Sequence, residues 1–249
     1  MNVLKRIAGH LYLVYFLLLF FLTMLPAYVA VACIYRLPEP LRSKRLHRIF
    51  RVWMGVFMPL AGCPVRARGK EHFREGQQCV VVCNHNSFID VPVSTPWVPG
   101  PGKTLAKIEI SRVPLFGLIY KAGTILVDRK SEQSRKESFA AMRKTLQMGL
   151  HLTLYPEGTR NKTGETLQPF QDGAFVVAIR EQVPLIPALI FNTGRILPHR
   201  PKFWAWPYRV RLDFLEPIPT TGLSLKDVPV LKEQVWQLMN SYYLQHKKA

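Results

Sequence analysis

Cys79-Val80-Val81-Val82-Cys83-Asn84-His85-Asn86-Ser87-Phe88-Ile89-Asp90 is the stretch on which the fold turns. Five apolar residues, three of them β-branched, are too few for a helix and suit a strand buried on both faces. The run breaks abruptly into polar residues. Pro92 follows, and proline is tolerated in the first turn of a helix. The order strand, polar turn, helix is that of an α/β unit, and such folds place their sites just past the strand end. On one continuous helix His85 and Asp90 would face different ways. With His85 in the turn and Asp90 in the first helical turn they meet. An imidazole held by a carboxylate is a general base with a fixed tautomer. The spacing Ser87 to Asp90 also fits a capping box, which would leave Asp90 purely structural.

The pattern repeats outward from this unit. Val65–Arg68, Cys79–Cys83, Thr104–Ile110, Ile125–Asp128, Leu152–Tyr155, Pro187–Phe191 and Tyr208–Phe214 read as strands. Pro114–Lys121, Ser131–Gly149, Gly173–Glu181 and Leu231–Gln245 read as helices, the second opened by a Ser134–Glu137 capping box. Pro92–Pro101 reads as an irregular connection. Strands alternating with helices predict an α/β domain with a mixed, largely parallel sheet flanked by helices.

Upstream, Leu11–Tyr35 contains no charged side chain. It is long enough to cross a bilayer as a helix, which takes about 20 apolar residues. Pro26 should kink or break it, so the segment either spans with a kink or dips into one leaflet. A cleaved signal peptide is the minority alternative. Lys5 and Arg6 precede it, and Arg36, Arg42, Lys44, Arg45, Arg48 and Arg51 follow. If it spans, the positive-inside rule keeps the body of the protein cytoplasmic. Leu41–Leu60 carries an apolar stripe with a cationic edge, as helices lying in a membrane interface do. The expected division is a membrane-associated helical segment over residues 1–62 and an α/β domain over 63–249.

Lys and Arg number 34 against 16 Asp and Glu, a formal charge of +18. That balance predicts anionic partners: a lipid surface, a phosphorylated or acidic substrate, or nucleic acid. At 48% hydrophobic residues the chain is not disordered. The four cysteines form no CxxC pair and the seven histidines have no metal-ligand spacing, so no metal site is expected. No GxSxG, GxGxxG or complete P-loop is present, which removes the support for a serine nucleophile or nucleotide binding.

Two further strand ends carry polar clusters. Tyr155-Pro156-Glu157-Gly158-Thr159-Arg160 offers a carboxylate, a glycine, a hydroxyl and a guanidinium, and arginine grips phosphate bidentately. Val127-Asp128-Arg129-Lys130 offers a basic pair. Surface turns and helix entries with paired charges would look the same.

Taken in order, Asn84-His85 with Asp90 and then Tyr155-Pro156-Glu157-Gly158-Thr159-Arg160 resemble the NHxxxxD and FPEGTR motifs of the glycerolipid acyltransferase family, the bacterial 1-acylglycerol-3-phosphate enzymes above all. Ala106-Lys107-Ile108-Glu109 through Arg129 resembles the second block of that family, and Val183–Pro187 the fourth. The resemblance implies acyl transfer from acyl-CoA or acyl-acyl carrier protein to the sn-2 hydroxyl of 1-acyl-sn-glycerol 3-phosphate, giving phosphatidic acid, with no cofactor. It implies His85 as the base and Asp90 as its support. It implies Glu157, Gly158, Thr159 and Arg160 at the acceptor, with Lys107 and Arg129 adding positive charge. The partners are then membrane lipids, a lysophospholipid and the acyl donor, and the location a bacterial inner membrane with the catalytic domain on the cytoplasmic side. Tyr155 replaces the usual Phe, and Phe88 a common Trp. Gln171-Asp172 stands where relatives often carry lysines, which opens a second reading with another lysolipid acceptor, such as a lyso-ornithine lipid. A membrane-tethered nucleic-acid-binding protein is the non-enzyme alternative. Its basic residues should cluster on one face, whereas here they are spread and enriched beside the apolar segment.

Overall fold

The computed structural model describes residues 3–199 and 203–247. The helices are α1 Val3–Ile34, α2 Leu41–Leu60, α3 Asp90–Trp97, α4 Phe116–Gly123, α5 Glu132–Gln147, α6 Gly173–Arg180, the single turn α7 Thr193–Ile196 and α8 Val228–His246. The strands are β1 Val65–Arg68, β2 Val80–Cys83, β3 Gly102–Lys107, β4 Thr124–Val127, β5 His151–Leu154, β6 Leu185–Phe191 and β7 Val210–Phe214.

They form one seven-stranded sheet in the order β1-β7-β6-β2-β5-β3-β4. All neighbours are parallel except β6 and β7. The sheet is thus mixed and largely parallel, as expected. From β2 the chain steps one way through β3 to β4, with α3 and α4 as crossovers. It then steps back through β5 to β6, with α5 and α6. Crossovers of one hand must place these two helix pairs on opposite faces, and the core divides accordingly. Val80, Val82, Leu152 and Leu154 pack with Met142, Leu146 and Phe175 of α5 and α6. Val81 and Cys83 point the other way, to Val93 of α3 and to Phe16, Met54 and Phe57 of α1 and α2.

Prolines account for several differences from the sequence expectation. Helix α1 runs unbroken through Pro26. It is held on both sides of that residue: Phe20 stacks on Phe116 at 6.0 Å, and Val31 is buried with Leu46 and Ala122. The connection expected over Pro92–Pro101 is helical as far as Trp97, because Pro92 sits in the first turn, where its missing N–H has no partner to lose. Strand β6 begins at Leu185 rather than Pro187. The Leu185 N–H donates to the Ile218 carbonyl at 3.0 Å and the Ile218 N–H returns the bond at 2.8 Å, so pairing is established before the proline.

Two more boundaries shift. β3 ends at Lys107, the last residue paired with β4, and the chain coils into a 3-10 turn over Ile108–Arg112. The cap of α5 is Ser131, whose hydroxyl accepts the Ser134 N–H at 3.1 Å, one turn before the Ser134–Glu137 box expected. Ser134 instead accepts the Asp128 N–H at 2.9 Å and so closes the β4–α5 turn.

Helix α2 serves two surfaces. Leu46, Met54, Phe57 and Met58 are buried against the domain. Lys44, Arg45, Arg48, Arg51, Val52 and Val56 face outward. Helix α1 buries Phe16, Met24, Ala27 and Val31 along one face. Its other face exposes Leu11, Val14, Leu18, Leu22, Leu25 and Val29. It is the one helix among the described residues that is long and apolar enough to cross a membrane.

Candidate active site

The C-terminal ends of β2, β5, β3 and β4 lie side by side on one edge of the sheet. This brings together turns that are far apart in sequence. At the end of β2 the side chain of Asn84 continues the ladder: its amide donates to the Ile190 carbonyl at 3.0 Å and accepts the Ile190 N–H at 2.7 Å. The backbone is thereby released from pairing and turns outward at His85.

His85 Nδ1 lies 2.8 Å from Asp90 Oδ2. Asp90 is fully buried, while the His85 side chain is 19% exposed. The same carboxylate oxygen accepts the N–H groups of Asn86 at 2.6 Å and Ser87 at 2.7 Å. Asp90 therefore makes contacts of two kinds, to a side chain and to backbone. It shapes the entry to α3, as a capping residue does, and it fixes the imidazole with Nε2 turned away from it. The Ser87 hydroxyl donates to the Leu197 carbonyl at 3.3 Å, so the reciprocal half of a capping box is not formed.

The turn after β5 closes on this dyad. The Tyr155 ring lies 4.5 Å from the His85 ring, and its hydroxyl meets Ser94 Oγ of α3 at 2.7 Å. Glu157 is 4% exposed. Its two oxygens accept the His85 N–H at 2.7 Å and the Gln168 N–H at 3.0 Å. Its carboxylate thus points inward and ties the histidine turn to the loop before α6. Burial raises its pKa from 4.5 to about 7, against the pull of those two donors. The Asn161 N–H, donating to the His85 carbonyl at 2.6 Å, completes the lacing of the two turns.

Gly158 adopts φ 71°, a left-handed conformation that glycine takes without strain. Its carbonyl accepts a hydrogen bond from the Arg129 guanidinium. Arg129 thus joins the cluster from the end of β4. Arg160 lies over Phe88, its guanidinium carbon 3.4 Å from the ring centroid, a separation too short for the guanidinium to stand edge-on to the ring. Thr159 is exposed, and so is Lys107 at the end of β3; among the described residues no hydrogen bond ties either side chain to the others. Ser94 and Gln168 were not singled out from sequence, and Asn84 and Phe88 entered only as members of the motif, with no role given. The signal for Asn84 was a polar amide continuing an apolar strand, and for Phe88 an aromatic inside a polar turn. Among the described residues no three His, Cys, Asp or Glu side chains stand together as metal ligands.

The family model described as Acyltransferase matches residues 64–191, which contain His85, Asp90, Lys107, Arg129 and Glu157 to Arg160. The chain belongs to the acyltransferase family. Human 1-acyl-sn-glycerol-3-phosphate acyltransferase beta is 31% identical over 190 residues, 76% of this chain and 68% of the relative. The human alpha enzyme is 34% identical over 191 residues, 76% of this chain and 66% of the relative. The 1-acyl-sn-glycerol-3-phosphate acyltransferase of Helicobacter pylori strain J99 is 30% identical over 168 residues, 67% of this chain and 69% of the relative. The chain thus spans about two-thirds of the length of these curated relatives. The crystal structure of the 1-acyl-sn-glycerophosphate acyltransferase PlsC from Thermotoga maritima superposes with a TM-score of 0.80 over 98% of both chains at 20% identity, which speaks to the fold.

Proposed function

We propose that this acyltransferase moves an acyl group from acyl-CoA or acyl-acyl carrier protein to the free sn-2 hydroxyl of 1-acyl-sn-glycerol 3-phosphate, forming phosphatidic acid. The acceptor is that of the relatives whose names are given above. The observation that carries the chemistry is the 2.8 Å contact between His85 Nδ1 and the buried Asp90. With Nδ1 engaged, Nε2 accepts the proton of the hydroxyl as its oxygen attacks the thioester carbonyl. The tetrahedral intermediate then collapses, expelling the thiolate, which takes the proton back from His85. Asp90 holds the ring and stabilises the imidazolium while it exists.

Arg160 and Arg129 supply the positive charge expected beside a phosphate. An apolar cavity lined by Phe20, Trp53, Met54, Val91, Phe116 and Ile119 lies under α3, the helix that Asp90 opens, and suits a hydrocarbon chain. The exposed leucines of α1 and the outward arginines of α2 suit a bilayer with anionic head groups, which supports the reading of a membrane-bound enzyme whose catalytic domain faces the cytoplasm. Helix α1 packs on the domain from Phe16 to Val31, which favours a helix embedded alongside the domain over one standing apart from it.

The test is transfer of labelled acyl groups from both donors to a panel of lysolipids, with wild type and His85→Ala in parallel. Transfer to lysophosphatidic acid, lowered about 10²–10⁴-fold in the variant, is expected. Transfer only to another lysolipid would keep the chemistry and replace the acceptor. Unchanged turnover in the variant would remove His85 from the reaction.

A further inference from the structure

Phe88 is the one large side chain of the 84–90 turn that the fold leaves outside: it is 72% exposed. Its neighbours in the turn are all engaged in building it, Asn84 with Ile190, His85 with Asp90, and the N–H groups of Asn86 and Ser87 with the same carboxylate. The ring fills no cavity in the core. What it touches is Arg160, whose guanidinium carbon stands 3.4 Å from its centroid. Among the described residues no carboxylate lies within ion-pair distance of Arg160.

A guanidinium offers two different surfaces. Its flat face stacks on aromatic rings, and its edge carries five N–H donors. Stacking on Phe88 occupies the face and leaves the edge free. A free arginine on an exposed turn loses rotamer entropy when a ligand fixes it, and a ring beneath it removes part of that loss in advance. Phe88 is three residues from His85 on a turn whose backbone is fixed by Asp90 and Asn161. The ring therefore also sets where the guanidinium stands relative to the base.

We infer that Phe88 is a positioning residue for anion recognition: its ring is the platform that presents the in-plane N–H edge of Arg160 to the acceptor's phosphate, at a set distance from His85. This rests on the reading of Arg160 as the phosphate ligand and adds a residue to which no role has been given. It also accounts for the exposure of the ring, which packing does not.

The experiment compares wild type, Phe88→Ala, Phe88→Trp, Arg160→Ala and the Phe88→Ala/Arg160→Ala double variant. Two readouts are taken: equilibrium binding of lysophosphatidic acid presented in neutral vesicles, and acceptor KM against donor KM and kcat. An exposed cation–π contact is worth a factor of about 2–5 in binding. Phe88→Ala should therefore weaken lysophosphatidic acid binding and raise acceptor KM by that factor. Donor KM and the unfolding midpoint should not move, Phe88→Trp should restore wild-type values, and Phe88→Ala should add nothing once Arg160 is gone. Binding unchanged in Phe88→Ala, or weakened equally with and without Arg160, overturns the inference. If the binding pattern holds while wild type fails to transfer acyl groups to lysophosphatidic acid, the platform stands and the proposed acceptor falls.

Discussion

Two histidines stand at opposite ends of the same central strands, and their surroundings differ in the ways that matter for chemistry. His85 follows β2 and meets an ionisable partner, Asp90, through Nδ1 at 2.8 Å, with its side chain 19% exposed. His151 opens β5 and is 8% exposed. Its Nδ1 accepts the Cys79 N–H at 3.3 Å, with the Cys79 sulfur at the same distance. Its ring also bonds the Pro99 backbone and lies edge-on to Phe73 at 5.9 Å. Burial lowers its pKa, and burial also pushes the Cys79 thiol up to about 12, so this pair is a neutral brace and not a nucleophile with its base. A base needs a carboxylate behind it and an open nitrogen in front. The first histidine has both, and the second has neither.

The comparison breaks most sharply under substitution. Asp90→Asn should lower kcat about 10²–10⁴-fold, because a neutral amide cannot stabilise the imidazolium. His151→Ala should leave kcat within about threefold of wild type, as sites this far apart act independently. It should instead lower stability by about 1–3 kcal/mol, since the Cys79 N–H loses its buried partner. Steady-state turnover and urea unfolding of the two variants, measured together, test the contrast. A His151→Ala enzyme that is stable but inactive would erase it.

A second contrast lies between the two carboxylates of the site. Asp90 holds a side chain, while Glu157 holds only backbone. The Glu157 pKa is raised from 4.5 to about 7, chiefly by burial. Between those values the folded chain keeps a proton that the unfolded chain has released. The stability from this group is therefore fully present below pH 4.5 and is lost as pH rises through 7. Glu157→Gln removes the titration but sets an amide NH2 against one of the two N–H donors. The stability advantage of wild type over the variant should shrink by about 1–3 kcal/mol between pH 5 and 8. A difference that stays flat would mean that Glu157 is ionised throughout, with its two donors outweighing burial. In kinetics the same variant should lower kcat more than it raises acceptor KM, as loss of a brace behind His85 would.

How much of this was legible in the sequence follows from the range of the forces. The unit β2–turn–α3 was legible because its signals are local: a β-branched run, a polar break, and a proline placed where a helix tolerates it. The meeting of His85 with Asp90 followed from that unit alone. The inward turn of Glu157 did not, because its donors are His85 and Gln168, and only the finished sheet shows which way a carboxylate beside two such N–H groups must point. The stack of Arg160 on Phe88 is likewise a product of the order β2-β5 in the sheet, which no local pattern specifies. At Pro26 helix α1 does not break, for the opposite reason. The local penalty of a proline is real, but packing on α2 and α4 outweighs it.

The smallest predicted effect concerns Tyr155, one of the two aromatics that differ from the usual motifs. Its hydroxyl bonds Ser94 at 2.7 Å while its ring lies 4.5 Å from His85, so the two parts of one side chain can be tested apart. Tyr155→Phe keeps the ring and should cost about 0.5–1.5 kcal/mol of stability through the lost hydrogen bond. Turnover should change by less than about threefold, because nothing that touches the imidazole has moved. Tyr155→Leu removes the ring and should lower kcat further than Tyr155→Phe, by leaving His85 free to rotate about its bond to Asp90. If instead Tyr155→Phe alone depressed kcat about tenfold with stability unchanged, the hydroxyl and not the ring would be the part that serves the reaction, and Ser94 would join Asp90 as a group acting on the site from α3.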